Sequence, residues 1–166
     1  MQITNTSDFL RYYDRIKHRT IRLFDYIPED KIEWTYKAGK FTIGDIIRHN
    51  ACIERYMYGE TVQGNPSNYL GCGTEYAKGF EATIAFYKEK YAESKAIFEN
   101  LTPEALNQKC TTPAGTQITT WKWLRAMAEH EIHHRGQLYL YLAMLDIATP
   151  PLYGLTSEQV IEASKT

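Results

Sequence analysis

The segment WKWLRAMAEHEIHHRGQLYLYLAML, Trp121 to Leu145, runs 25 residues without a proline and holds three of the chain's five histidines. It reads as a helix from about Thr120 to Leu145, closed off by Pro150-Pro151. An α-helix turns about 100° per residue, so with His130 at zero, His134 falls at about +40°, Gln137 at about −20° and Tyr141 at about +20°. Trp123 and Met127 share that side. Both histidines therefore project from one apolar-flanked face, the face a bundle would turn inward. His133, at about −60°, lies at its edge, and Glu131 and Arg135 lie toward the flank. Beyond Gly136 the run QLYLYLAML is apolar nearly all round, more than one buried face requires. Gly136 permits close approach, and Ile132 and Tyr139 form a stripe opposite the histidines, which a homodimer or extra packing within the chain would cover.

Three further segments carry a helical apolar period. The first spans about Ser7 to Ile27, with Phe9, Tyr13, Ile16, Thr20, Leu23 and Ile27 on one face; Ser7 or Thr6 caps it and Pro28 ends it. The second spans about Ile43 to Tyr58, opened by a capping box at Thr42-x-x-Asp45 and stopped at Gly59. The third spans about Thr74 to Leu101, where Tyr76, Phe80, Ile84, Tyr87, Tyr91, Ser94, Phe98 and Leu101 step by threes and fours. Gly59 to Gly73 is a long loop of the kind that tends to be functional. Short extra helices are expected near 103–108, opened by Thr102-Pro103, and near 157–163, capped by Thr156 and Gln159. TTPAGTQITT is turn-rich with a brief extended piece. No repeat or linker divides the chain. The expected fold is all-α: one domain over 1–166, an antiparallel four-helix bundle with a long second connection.

Composition narrows the function classes. A net charge of −1, with Lys and Arg scattered, gives no electrostatic reason to expect nucleic acid or an anionic membrane. The polar start MQITNTSDFLRYYDRIKHRT is not a signal peptide, and no apolar run approaches the roughly 20 residues of a membrane span. Three cysteines, Cys52, Cys72 and Cys110, form no C-x-x-C pair and suit a reducing cytoplasm. The expected location is therefore cytoplasmic. Most of the thirteen tyrosines are expected in the core and at its edges, some of them shaping a pocket.

Two histidines at i, i+4 can chelate one ion, because their ring nitrogens converge beside the helix. Left alone, two buried neutral imidazoles would each cost about 1–3 kcal/mol in unmet hydrogen bonding. The plain alternative is that each finds a carbonyl, a carboxylate or a water. A third histidine favours the metal: His49 shares its helical face with Ile46, Ile53 and Tyr56, with Cys52 at the edge, and so also points inward. The candidate ligands are His49, His130 and His134, three neutral nitrogens with open positions left over. Imidazole does not specify the ion: zinc or nickel is expected first, iron or manganese after them. His18, between Lys17 and Arg19, is expected in solvent, His133 beside the site or on the surface, and Cys52 packed in the core.

His130-Glu131-x-x-His134 also spells the zinc-peptidase pattern, with Glu131 as base and Glu158 as an acidic third ligand downstream. Such enzymes lay a sheet edge beside the helix, which this chain lacks, and their chemistry leaves His49 unexplained. A di-iron bundle would need a second E-x-x-H and two more glutamates; no other Glu has a His three residues on.

TIGDIIRHNACIERYMYG around His49, and HEIHHRGQL with its apolar tail and Pro-Pro-x-Tyr-Gly, resemble the DinB/YfiT-like superfamily of bacterial four-helix metalloproteins. The similarity covers most of the chain and is strongest in the second and fourth helices. By position, the family's three metal histidines fall on His49, His130 and His134. The resemblance implies a homodimer and a small-molecule substrate. It also implies a metal-dependent transferase moving a low-molecular-weight thiol such as bacillithiol, mycothiol or glutathione to an electrophile under the Gly59–Gly73 loop. Gln137 and Tyr141 would orient substrate, and Glu131 would act as base or as partner to the site. The alternatives are a hydrolase or isomerase using metal-bound water, and a non-catalytic, stress-associated bundle whose ion clamps the second helix to the fourth.

Overall fold

The computed structural model describes residues 2–165. Its helices are α1 (Thr6–Phe24), α2 (Ile43–Ile53), α3 (Phe80–Glu99), the short α4 (Pro103–Asn107), α5 (Thr120–Met144) and the short α6 (Ser157–Ala163). A hairpin of β1 (Lys109–Thr111) and β2 (Gln117–Thr119) precedes α5, pairing Cys110 with Ile118. This is the expected all-α four-helix bundle, with both extra helices and the extended piece in place.

Local chemistry explains where the helices begin and end, and corrects several expected boundaries. Asn5, rather than Thr6 or Ser7, caps α1 by accepting from the Asp8 amide. The helix closes at Phe24, because Tyr26 and Ile27 bond back three residues in a tightening turn before Pro28. The Thr42–Asp45 capping box is formed. Gly59 does not stop the second helix: α2 passes through a π-helical turn (Glu54–Tyr58) and a last α-turn (Gly59–Thr61). Gly59 stands where a Cβ would meet Ile97 Cδ1 at 3.3 Å, so its role is close approach of α2 to α3. Gly64, at φ +84°, makes the reversal instead. The third helix starts at Phe80, not Thr74, behind Gly79 at φ +84°.

α1 and α2 each pack against both α3 and α5, which sets α1 and α2 on one diagonal. Arg48 reaches Thr83 while Arg55 reaches Glu93, so α2 and α3 run parallel. His49 meets His134 while Tyr58 meets Trp123, so α2 and α5 are antiparallel. Thr6 with Leu101 and Phe24 with Tyr87 make α1 and α3 antiparallel too. Parallel neighbours need a return connection as long as the bundle, about 30 Å for a helix of α3's length. Residues 62–79 supply it, and their path carries them past His49.

The core is in two parts with a charged layer between them. Phe9, Tyr13, Ile16, Phe98, Leu124 and Met127 pack one end; Leu23, Phe24, Ile43, Ile47, Tyr87, Leu138 and Leu142 pack the other. Between them, Lys17 of α1 lies 2.5 Å from Glu54 Oε2 and 3.2 Å from Glu131 Oε2, every side chain at most 3% exposed. Tyr13 donates to Glu54 and Tyr87 to Glu131. Arg48, also fully buried, binds Glu33, Asp45 and the carbonyls of Cys72 and Ala77. It thereby ties the segments before and after α2 to the helix that carries His49.

Candidate metal centre

His130 and His134 stand one turn apart on α5, and antiparallel α2 brings His49 opposite them. His130 Nε2 lies 3.1 Å from His49 Nε2 and 3.1 Å from His134 Nε2. One ligand nitrogen from each ring falls within 4.8 Å of the others. Nitrogens about 2.0–2.1 Å from one ion would lie roughly 2.9–3.4 Å apart for angles between a right angle and a tetrahedral one. The spacing fits.

Protonation fits as well. Burial, reinforced by the neighbouring rings, pulls His49 down to about 4 and His130 to about 3; burial also lowers His134. All three are neutral at pH 7. His134 Nδ1 donates to Gln137 Oε1 at 2.7 Å, which leaves its Nε2 a lone pair aimed at the other rings. A proton on His130 Nε2 can serve only one of its two neighbours, so lone pairs face each other unless a cation sits among them. His49 Nδ1 is held at 2.8 Å by the Tyr69 hydroxyl, delivered by the return connection. Outer contacts of this type fix ring orientation in metal sites.

A cleft of about 630 Å³ opens beside His134, lined by Tyr36, Lys40, Phe41, Gln137, Leu140, Tyr141 and Met144 among others. Its roof is the Tyr36–Phe41 segment, while the Gly59–Gly73 stretch reaches the histidines through Tyr69. Tyr141 donates to the Phe41 carbonyl at 3.0 Å and stacks edge-on with Tyr36 and Trp34, fixing that segment.

The three expected histidines thus meet in a group that could hold a metal ion, and Gln137 and Tyr141 flank them as the helical face requires. Glu131 does not lie on a flank or surface. It is 2% exposed, with one oxygen on Tyr87 and the other on Lys17. Burial alone would raise its pKa, but the Lys17 ammonium outweighs that and holds it below the usual carboxylate range. For Glu54 burial wins, and its pKa is raised. His18 and His133 are exposed, as expected. Cys52 is fully buried, and burial pushes its thiol up to about 12, which suits packing and not nucleophilic attack. The exposed acid Glu158 is not among the residues that could form a metal cluster in the described part of the chain.

Residues 12–138 match the DinB superfamily. The chain belongs to this superfamily. A DinB relative, protein YjoA of Bacillus subtilis, is 25% identical over 142 residues, covering 83% of this chain and 90% of its own. The crystal structure of the DinB-like B. subtilis YjoA superposes with a TM-score of 0.70 at 19% identity, covering 87% of this chain and 96% of the other. A DinB-like protein from Bacillus cereus gives 0.68 at 16% identity, covering 86% and 94%. A mycothiol-dependent maleylpyruvate isomerase gives 0.64 at 12% identity, covering 81% of this chain and 60% of that one. At these identities the structural likenesses establish the DinB fold. Among the described residues no helix is long and apolar enough to cross a membrane.

The return connection's Tyr69 and the charged layer of Lys17, Glu54 and Glu131 were not expected from sequence. A signal for the layer exists: each of its three charges sits at a core-facing step of a mostly apolar stripe. Ile43, Ile47, Ala51, Glu54 and Tyr58 form one such stripe, and Leu124, Ala128, Glu131, Arg135 and Leu138 another. Tyr69 has no comparable signal, since loop path is not periodic.

Proposed function

We propose that this DinB-superfamily chain is a metal-dependent enzyme that transfers a low-molecular-weight thiol to a small electrophile. The observation carrying this reading is the convergence of three neutral histidines, one of which, His134, lines an open, partly aromatic cleft. A site that only clamped two helices would need no such opening. The thiol dependence in the isomerase's name supports a thiol as the co-substrate class.

A divalent ion held by His49, His130 and His134 would supply Lewis acidity, keeping a thiol's sulfur in its thiolate form near neutral pH. The protein's own residues do the rest. Gln137 fixes the His134 tautomer, and Tyr69 fixes the His49 ring. Tyr141 spends its hydroxyl proton on the Phe41 carbonyl, so it serves as a wall that seats the electrophile. Glu131, saturated by Tyr87 and Lys17, positions α5 rather than moving a proton at the site. In the reaction the sulfur forms a bond to an electrophilic carbon, which releases its leaving group, and the thiol's proton passes to solvent. An isomerase that adds the thiol reversibly to a double bond is the second reading, favoured by the same neighbour's name.

The test is turnover of monobromobimane by purified protein loaded with zinc, nickel, iron or manganese, with bacillithiol, mycothiol or glutathione supplied in turn. A rate that needs both one thiol and the metal, and vanishes in His130→Ala, is expected. Absence of any thiol-dependent rate with every metal form would sink the transferase.

A further inference from the structure

The cleft beside His134 has a charge pattern that the metal site alone does not explain. Lys40 is the one formally charged side chain among its lining residues, and no carboxylate lines it. Among the described residues its ammonium has no ion pair or hydrogen bond. The carboxylates on either side of this segment are occupied elsewhere: Glu33 and Asp45 both grip Arg48, which holds Glu33 below the usual range, while the Thr42 amide together with Arg48 does so for Asp45 against the pull of burial. Lys40 is also held in place. Its amide closes a turn onto the Lys37 carbonyl, Gly39 takes φ +77° to make that turn, and the next residue's carbonyl accepts from Tyr141. A lysine without a counter-ion is therefore carried on a fixed stretch of backbone at the cleft wall, while Tyr36, Phe41, Leu140, Tyr141 and Met144 make the remaining walls mostly apolar.

We infer that the cleft selects a small molecule with an apolar or aromatic body and one carboxylate or similar anionic group. Lys40 receives the anion and the aromatic walls receive the body. Lys40 is thus a specificity-determining residue for whichever reactant fills the cleft, thiol or electrophile. The inference rests on the functional reading above for its site, and not on turnover.

Calorimetric titration of the zinc-loaded protein with 4-phenylbutyrate and with the neutral isostere 4-phenylbutanamide tests it. The acid should bind about five-fold more tightly at low ionic strength, in line with a partly exposed ion pair. That preference should shrink as salt rises. In Lys40→Gln, an exposed loop substitution, the preference should fall to about one while the amide binds as before. Equal binding of both probes to the parent protein would overturn the inference. So would a preference that survives Lys40→Gln, since the carboxylate would then be seated on the metal. To separate the two possible sources of the anion, turnover is compared for thiols with and without a carboxylate, then for electrophiles with and without one. The partner whose KM rises in Lys40→Gln is the occupant, and a KM unchanged for both overturns the assignment. Carboxylate-selective binding without any turnover would leave this inference standing and remove the transferase.

Discussion

Replacing Lys17 by methionine should be among the most damaging single changes in the molecule outside the apolar core. The ammonium is 1% exposed, lies 2.5 Å and 3.2 Å from two buried carboxylates, and sits 4.1 Å from the centre of the Tyr87 ring. Methionine keeps most of the volume and removes the charge. Glu54 and Glu131 are then left facing one another without a counter-ion, a change that costs about 3–5 kcal/mol when one partner of a buried pair is lost. Against a total stability of about 5–15 kcal/mol, this is a large fraction. With a urea dependence of about 2 kcal/mol per molar, the unfolding midpoint should drop by roughly 2 M. The pH dependence follows with a definite sign. Without Lys17 the Glu131 carboxyl is governed by burial, so its folded-state pKa moves above its unfolded value. Its stability contribution is then present below the unfolded value and lost as pH rises through the folded one. Lys17→Met should therefore be damaged less at pH 5 than at pH 8. The triple variant Lys17→Met, Glu54→Gln, Glu131→Gln removes the charges together and should recover most of the loss. Urea denaturation of the metal-free protein followed by circular dichroism reads all of this. A midpoint within 0.5 M of the parent's (about 1 kcal/mol), or equal damage at both pH values, would refute the assignment of this layer as a mutually compensating charge cluster.

Other perturbations separate the site from the scaffold. Tyr69→Phe deletes the hydroxyl held 2.8 Å from His49 Nδ1 and should weaken zinc affinity about ten-fold, with helicity and melting temperature of the metal-free protein nearly unchanged. In the metal-free protein, His49 and His130 have folded pKa values of about 4 and about 3, below the ordinary 6.5. The unfolded chain therefore takes up protons first. Stability should be intact above about pH 6.5 and fall as pH drops toward 4, and thermal melts across that interval should show it. Arg48→Leu leaves Glu33 and Asp45 unpaired and releases the Cys72 and Ala77 carbonyls, so limited proteolysis should cut first within residues 62–79. Cleavage elsewhere, at the parent's rate, would count against Arg48 as the anchor of that connection.

What could be read from sequence followed from periodicity. The stripes on the four long helices, the Thr42 and Thr156 capping boxes and the convergence of His49 with His130 and His134 all come from angular position, which a helix fixes within a few residues. What escaped depends on chain paths between helices. The parallel run of α2 and α3, the Tyr36–Phe41 roof and the delivery of Tyr69 to His49 are set by connections without a repeat. Glu131 illustrates a different limit. Its place at about 100° from His130 was legible, but a lone acid beside an apolar face looks solvated until Lys17 is known to meet it across the bundle. Gly59 misled for a related reason: glycine marks both helix ends and close helix contacts, and only the position of Ile97 tells them apart.

The central claim is that His49, on α2, completes a metal site with His130 and His134 on α5. Equilibrium dialysis of the parent protein and of His49→Ala against micromolar zinc, followed by elemental analysis, tests it most directly. The account predicts about one ion per parent chain and a small fraction of one in the variant, with both proteins equally helical. A folded His49→Ala that still retains one ion per chain would contradict it.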